Sequence, residues 1–439
     1  MITRAKAGIF KPKTYLTVSQ DLEPAKVKAA LQDSRWFSAM KEEIEDLQRN
    51  NTWTLAPATA ATKIISNKWV YRVKYNPDGT VSKYKARLVA NDYHQTYDID
   101  FFETFSPIVK PYTHIGHDIL LVLIYVDDIL ITGSNSQLIE QVIHNLSSEF
   151  ALKDLGKFNY FLGLEVTPSI QGLHLSQTKF IGDILKKANM LDSKSFNTPM
   201  NTTDKLHKDK GAAFSNPSLY RSIVGSLQYV LLTRPDIAYV VNKPSQFLAA
   251  PIVLHWQACK RVLRYLQCTA HYGLQFFNSG SLTLTAYFDA NWGADPDDRK
   301  SIGGYYVFLG NNLISWSSKK QHIVFRSSAK SEYRALALAT LEVLWLTYLF
   351  QELKVSLIQT PTLYCDNKSA EALASNPKYH SQTKHIELDL HFVREHIAQQ
   401  QLQITYVSSS NQCADILTKP LSFDTFAYLR RKLNVLPRP

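Results

Sequence analysis

Four acidic residues in the C-terminal half stand where carboxylates can do chemistry. Asp289 ends an alternating apolar run, Glu332 lies in the first turns of a long apolar helix pattern, Asp366 follows Leu363-Tyr364-Cys365, and Asp415 comes after the last strand-like segment. Strand ends in an α/β sheet converge on one edge, so this order predicts a cluster. Clustered carboxylates repel one another unless cations bridge them, which calls for divalent ions, Mg2+ or Mn2+. Two such ions can activate a water and stabilise the leaving oxygen of a phosphodiester. Any one of the four acids alone reads as a solvated surface charge; the joint pattern carries the prediction. A second pair, Asp127 and Asp128, interrupts the apolar run Ile119 to Ile131 and so sits at a strand junction.

The elements that must position these groups are legible from periodicity. Glu23 to Trp53 repeats apolar residues at helical spacing and predicts one amphipathic helix. Lys68 to Ala90 alternates around Asn76-Pro77-Asp78-Gly79, a hairpin signature rich in Lys and Arg. Residues 150 to 275 carry mainly helical patterns, and the polar stretch Asn201 to Asn216 is the candidate linker. From Leu282 the order becomes strand, hairpin, helix, strand, helices, strand, helix. Leu282, Leu284, Ala286 and Phe288 share one strand face, while Thr283, Thr285, Tyr287 and Asp289 share the other. Gly310-Asn311-Asn312 marks a hairpin turn, and Ser328 is the candidate N-cap of a helix to Leu353. Strands follow at Leu363 to Cys365 and Leu402 to Val407, with a helix at Thr383 to Gln400 between them.

Charge and composition narrow the class of partner. A length of 439 residues with 45% hydrophobic content predicts several folded domains rather than a disordered or stapled chain. The 49 Lys and Arg against 38 Asp and Glu favour a polyanion such as nucleic acid. Cys259, Cys268, Cys365 and Cys413 form no CxxC pair, so neither a zinc site nor a disulfide framework is expected and an intracellular, reducing compartment is the default, cytoplasmic or nuclear. Met1 to Phe10 lacks the apolar core of a signal peptide, and Ile119 to Val126 is too short to span a bilayer. No membrane association is expected.

Tyr287-Phe288-Asp289-Ala290-Asn291-Trp292-Gly293, Leu313 to Gln321, Arg326 to Leu336, Tyr364-Cys365-Asp366-Asn367, Thr383 to Glu387 and Asn411 to Pro420 together resemble the ribonuclease H of copia-type LTR retrotransposons. The resemblance implies that Asp289, Glu332, Asp366 and Asp415 bind metal and hydrolyse the RNA strand of an RNA-DNA hybrid. Asn291 and Lys330 depart from the family pattern, where acids are usual. Upstream, Tyr125-Val126-Asp127-Asp128 is similar to the palm motif of reverse transcriptases, with Phe102 to Pro107, Lys153 to Gly156 and Phe161 to Val166 in the same family's order. By resemblance Tyr125, Asp127 and Asp128 belong to a polymerase site and bind its metals, and Arg87 contacts the nucleotide triphosphate. Tyr220 to Leu227, Thr233 to Ile237 and Arg261 to Leu266 resemble the thumb and connection region. For Arg261 and Arg264, contact with nucleic acid and an ordinary solvated helix face both remain open.

The implied architecture is α+β and multi-domain. A fingers remnant is expected over residues 1–116, a truncated palm with the start of the thumb over 117–200, a helical thumb and connection over 201–275, and a ribonuclease H-like domain with a mixed five-stranded sheet and helices over 276–439. One segment is missing: only Ile108 to Ile124 separate the Phe-Ser-Pro motif from Tyr125, and the partner aspartate of the polymerase metal site belongs there in the family. Asp118 cannot replace it, because nine positions along one strand is about 30 Å. The expected partners are RNA-DNA hybrid or template-primer and other retroelement Pol chains. Three readings stay open: a ribonuclease H joined to a disabled polymerase, a non-catalytic nucleic-acid-binding relic, and an unstable fragment.

Overall fold

The computed structural model describes residues 23–24, 26–49, 52, 66–75, 81–90, 112–115, 118–125, 128–150, 152–202, 206–208, 211–278, 281–375 and 386–439. The chain divides into two compact units, Met1–Gly156 and Lys157–Pro439. The first unit contains α1 (Val27–Gln32), α2 (Ser34–Arg49) and the antiparallel pair β1 (Asn67–Tyr75) and β2 (Val81–Ala90). A three-stranded sheet follows, β3 (Tyr112–Ile115), β4 (Asp118–Tyr125) and β5 (Asp128–Gly133), and then α3 (Ser136–Glu149).

The single helix expected at the N-terminal end is broken into two at Asp33. That residue is extended (φ −100°, ψ 119°), and its carboxylate accepts from the Arg35 backbone N–H at 2.9 Å and from the Arg35 guanidinium at 2.8 Å. An acid that satisfies donors at a helix start ends one helix and begins the next. Trp36 and Met40 on α2 then bury against Tyr71 and Ala86 of the hairpin. The turn predicted at Asn76 to Gly79 lies outside the described residues.

The second unit opens with β6 (Tyr160–Phe161), β7 (Leu164–Ser169), β8 (Gly172–Ser176), α4 (Thr178–Lys187), α5 (Pro217–Val230), α6 (Ala238–Ser245), α7 (Val253–Cys268) and β9 (Tyr272–Phe277). It continues through β10 (Leu284–Asn291), β11 (Ile302–Leu309), β12 (Asn312–Lys320), α8 (Ser328–Glu352), β13 (Thr362–Cys365) and α9 (Lys368–Ser375). The last elements are α10 (Glu387–Ala398), β14 (Gln403–Tyr406), α11 (Phe423–Lys432) and β15 (Val435–Pro437).

One sheet runs β12-β11-β10-β13-β14, antiparallel through its first three strands and parallel from β10 to β13 to β14. This is the mixed, ribonuclease H-like sheet that the resemblance implies. The period of two places Leu284, Ala286 and Phe288 against the buried side of α8, while Tyr287 turns to the opposite face. Helix α8 is long and apolar enough to cross a membrane by length and composition, but Tyr333, Leu336 and Val343 are buried in the core of this sheet. Its N-cap is Ser327, one residue before the one predicted.

A second sheet, β15-β9-β8-β7-β6, is not anticipated by the sequence reading. Its edge is closed by the C-terminal strand, whose Val435 pairs with Leu274. Gly172 permits the β7–β8 turn: its φ is +142°, and a Cβ there would stand 2.2 Å from the Phe276 carbonyl oxygen. The stretch from Asn201 to Asn216 is not a free tether, since Leu206 is buried, Ala213 bridges Ile252 and Phe214 stacks on Trp256. Tyr220, Leu227 and Leu263 of α5 and α7 share a core with Tyr306, Ile416 and Leu417, so these helices and the sheet β12-β11-β10-β13-β14 pack as one body.

A buried ion pair anchors that shared core. Arg234 and Asp236 are 0% and 1% exposed, with Nε to Oδ1 and Nη2 to Oδ2 both 2.9 Å. Tyr265 donates to Asp236 at 2.6 Å, and Arg234 donates to the Thr269 carbonyl at 2.8 Å. Burial disfavours the guanidinium charge, but the adjacent Asp236 carboxylate more than offsets this and holds it charged. Arg234 is therefore a structural residue, not a phosphate contact. Asp236→Ala would leave that charge buried and alone, and is expected to cost about 3–5 kcal/mol in the urea unfolding of the second unit; a loss below about 1 kcal/mol would contradict the assignment.

Candidate active site

Strand register creates the site. Tyr287 of β10 pairs in parallel with Tyr364 of β13, so Asp289 and Asp366, each two residues further on, come to the same sheet edge. Glu332 is delivered from the first turns of α8, which packs over β10 and β11. Asp415 sits in a 3-10 turn, Cys413–Leu417, laid against β11. Gly304 makes that approach close: a Cβ there would be 2.6 Å from Leu417 Cβ. All four predicted acids of this half are thereby brought together.

Their surroundings hold them in place. Asp289 is 2% exposed and its Oδ2 accepts from the Thr418 hydroxyl. Asn367 Nδ2 donates to Glu332 Oε1 at 2.9 Å, while Glu332 Oε2 is buried and has no hydrogen-bond partner. Gln412 Nε2 donates to the Phe288 carbonyl at 3.0 Å with Asp366 Oδ1 at 3.5 Å. Lys419 Nζ lies 2.8 Å from Asp415 Oδ1 and 3.4 Å from Asp289 Oδ2.

Crowding and burial raise three of the carboxyls. Burial pushes Glu332 up to about 7; the Asn367 amide pulls it down, and repulsion from Asp289 and Asp366 pushes it further up. Asp415 rises to about 6, first by burial and then by repulsion from Asp289, against the pull of Lys419. Burial also raises Asp289, opposed by Lys419 and the Thr418 hydroxyl. Acids that resist ionisation in a site of hard oxygen donors, one of them lacking a partner, fit a divalent cation such as Mg2+ or Mn2+. As they stand, no three acidic, histidine or cysteine side chains among the described residues close on a single point.

The polymerase residues are placed differently. Asp127 lies outside the described residues, and Asp128 and Tyr125 are exposed partners across the β4–β5 hairpin end. Asp118 is at the opposite end of β4, where it accepts from Ser134 Oγ at 3.0 Å and Asn135 Nδ2 at 2.9 Å. It thus fastens the start of α3. Arg87 belongs to a separate sheet, where Nη1 meets Glu43 Oε2 at 3.2 Å. Arg261 and Arg264 on α7 lie over the Phe196 ring at 4.6 and 5.4 Å, and Arg261 donates to Thr198 Oγ1.

Sequence reasoning missed Thr418, Lys419, Asn367 and Gln412, although each lay within a motif singled out. The available signal was Lys419 four residues after Asp415, a spacing that meets on any helical turn.

A family model described as "Reverse transcriptase (RNA-dependent DNA polymerase)" matches residues 50–115 and 112–202, in two pieces that meet just before β4. The chain is similar to the retrovirus-related Pol polyprotein from transposon RE1 of Arabidopsis thaliana, 37% identical over 536 aligned positions that cover all of this chain and 37% of that one. The chain thus spans little more than a third of that relative, and an alignment longer than its 439 residues means that the relative carries residues with no counterpart here. A putative transposon Ty5-1 protein of Saccharomyces cerevisiae is 33% identical over 51% of this chain and 74% of its own. Among solved structures, a foamy viral protease-reverse transcriptase in complex with RNA/DNA hybrid matches with a TM-score of 0.40 and 13% identity, over 66% of this chain and 36% of that one.

The raised carboxyls fix a pH dependence. Their folded-state pKa values exceed the unfolded ones, so the stability they contribute is present below about pH 4 and is lost as pH rises through about 6 to 7. With divalent ions chelated, the melting temperature should rise from pH ~8 to pH ~5, and Glu332→Gln should flatten that rise by up to ~1.4 kcal/mol per pH unit. An unchanged slope in the variant would refute the role given to Glu332.

Proposed function

The chain belongs to the retrovirus-related Pol polyproteins of copia-type transposons, and on that premise we propose that its second unit is a metal-dependent ribonuclease H joined to a polymerase portion that no longer synthesises DNA. The observation that carries the nuclease reading is the set Asp289, Glu332, Asp366 and Asp415 on one sheet edge, three of them with raised carboxyls and Glu332 Oε2 buried without a partner. Those four residues would hold Mg2+ or Mn2+, which would supply Lewis acidity toward a phosphodiester and a means of activating water. Asn367 and Gln412 orient Glu332 and Asp366, and Thr418 fixes Asp289. The substrate is the RNA strand of an RNA-DNA hybrid.

Loss of polymerase activity is supported by the split family match and by Asp118, which caps the far end of the hairpin from Asp128. The decisive experiment incubates the purified full chain with labelled RNA-DNA hybrid and Mg2+. RNA cleavage that Asp366→Asn reduces to background, with no extension of a primer, is the expected result. A soluble, folded sample that cleaves nothing would favour a non-catalytic relic, and metal-dependent nucleotide incorporation would overturn the polymerase assignment.

Arg261 and Arg264 are proposed as backbone contacts for the same substrate. With Lys243 and Lys260 they line a cavity of about 540 Å³ that has no carboxylate among its described lining residues. All four cysteines are free, which supports an intracellular setting. In an Asp366→Asn background, the double change Arg261→Gln and Arg264→Gln should weaken hybrid binding and make its salt dependence shallower by about 1 to 2 in log–log slope. Unaltered affinity and slope would leave both arginines as structural.

A further inference from the structure

We propose that Lys419 is a built-in counter-cation of the carboxylate cluster, occupying the place between Asp289 and Asp415 that a divalent ion must take over. The inference rests on the nuclease reading of this site and adds to it a residue that governs how tightly metal is held.

The geometry is specific. The ammonium bridges Asp415 Oδ1 at 2.8 Å and Asp289 Oδ2 at 3.4 Å, and Asp289 is almost wholly buried. Two carboxylates in so little solvent need a compensating charge, and this ammonium provides one. Its backbone is fixed: the Lys419 N–H donates to the Asp415 carbonyl at 2.9 Å, the Thr418 N–H donates to the same oxygen at 3.1 Å, and Pro420 follows. The side chain is 35% exposed, so its tip can leave by rotating about its own bonds while the turn stays in place.

Among the described residues no three His, Cys, Asp or Glu side chains are placed to hold a metal ion, and Lys419 lies between two of the acids. A dication entering between Asp289 and Asp415 would stand within a few ångström of a positive charge bound to the same oxygens. The two cannot share the place, so metal binding includes displacement of Lys419. Lys419 thereby stabilises the metal-free fold and weakens metal affinity by the same interaction, a linkage set by mass action.

The test is thermal unfolding of the full chain without nucleic acid, titrated with Mg2+ and separately with Mn2+, for wild type, Lys419→Met and Lys419→Arg. In chelator at pH ~7.5, Lys419→Met should melt below wild type. Added metal should raise its melting temperature by more than that of wild type, with an apparent Kd roughly tenfold tighter, the lower end of what a neighbouring group does to metal affinity. Lys419→Arg, which keeps the charge, should behave as wild type. If Lys419→Met does not fold in chelator, Lys419→Gln under the same titration carries the comparison. Equal metal responses in wild type and the neutral variant, or a weaker one in the variant, overturn the counter-cation role and leave the nuclease reading intact. No metal response in any variant removes both.

Discussion

Burying like charges on one sheet edge is the constraint on which the second unit depends. Asp289 and Asp366 reach that edge because β10 and β13 run parallel, and parallel strands bring equivalent ends to one side. Glu332 arrives from the helix that buries the apolar face of the same sheet, and Asp415 from a turn seated on β11. Each carboxylate is therefore tied to an element that cannot move without opening the core. The repulsion is absorbed locally by one ammonium, one hydroxyl and two side-chain amides.

The two units hold their charged groups differently. In the second unit α5 to α7 and the sheet β12-β11-β10-β13-β14 share a core in which Arg234 and Asp236 are wholly enclosed. In the first unit the β4–β5 hairpin carries Asp128 at one end and Asp118 at the other, and the hydrogen bonds of Asp118 are spent on Ser134 and Asn135. A two-metal reaction needs carboxylates that reach the same pair of ions. β3 and β5 flank β4 with no acid in β3 and only Asp128 in β5. The family match divides just before β4, and among the described residues Asp128 is the one carboxylate at the Tyr125 end of this sheet.

The sequence was most legible where local pattern and global position agree. Alternation over Leu284 to Phe288 gave both the strand and its buried face, and acids at strand ends gave the cluster. What it hid was set by distant partners. β15 exists as a strand because Val435 meets Leu274, and no local period in three residues could announce that. The break at Asp33 depended on Arg35 folding back onto it, and the burial of Arg234 on Asp236, Tyr265 and Thr269 closing around it. Lys419 was read as part of a motif and given no role, because its meaning depends on where Asp289, distant in the chain, places its oxygen.

Asn291 bears on whether this site has decayed. The resemblance implies an acid at that position, and an amide there first reads as damage. In the structure the Asn291 amide donates to the Thr418 carbonyl at 3.2 Å, holding to β10 the turn that carries Thr418 and Lys419. An acid cannot make that donation while ionised, and it would add a further negative charge beside Asp289. The substitution therefore removes one charge from a crowded edge and gains a hydrogen bond to the segment that neutralises the rest. That hydrogen bond ties β10 to the turn whose Lys419 faces Asp289 and Asp415.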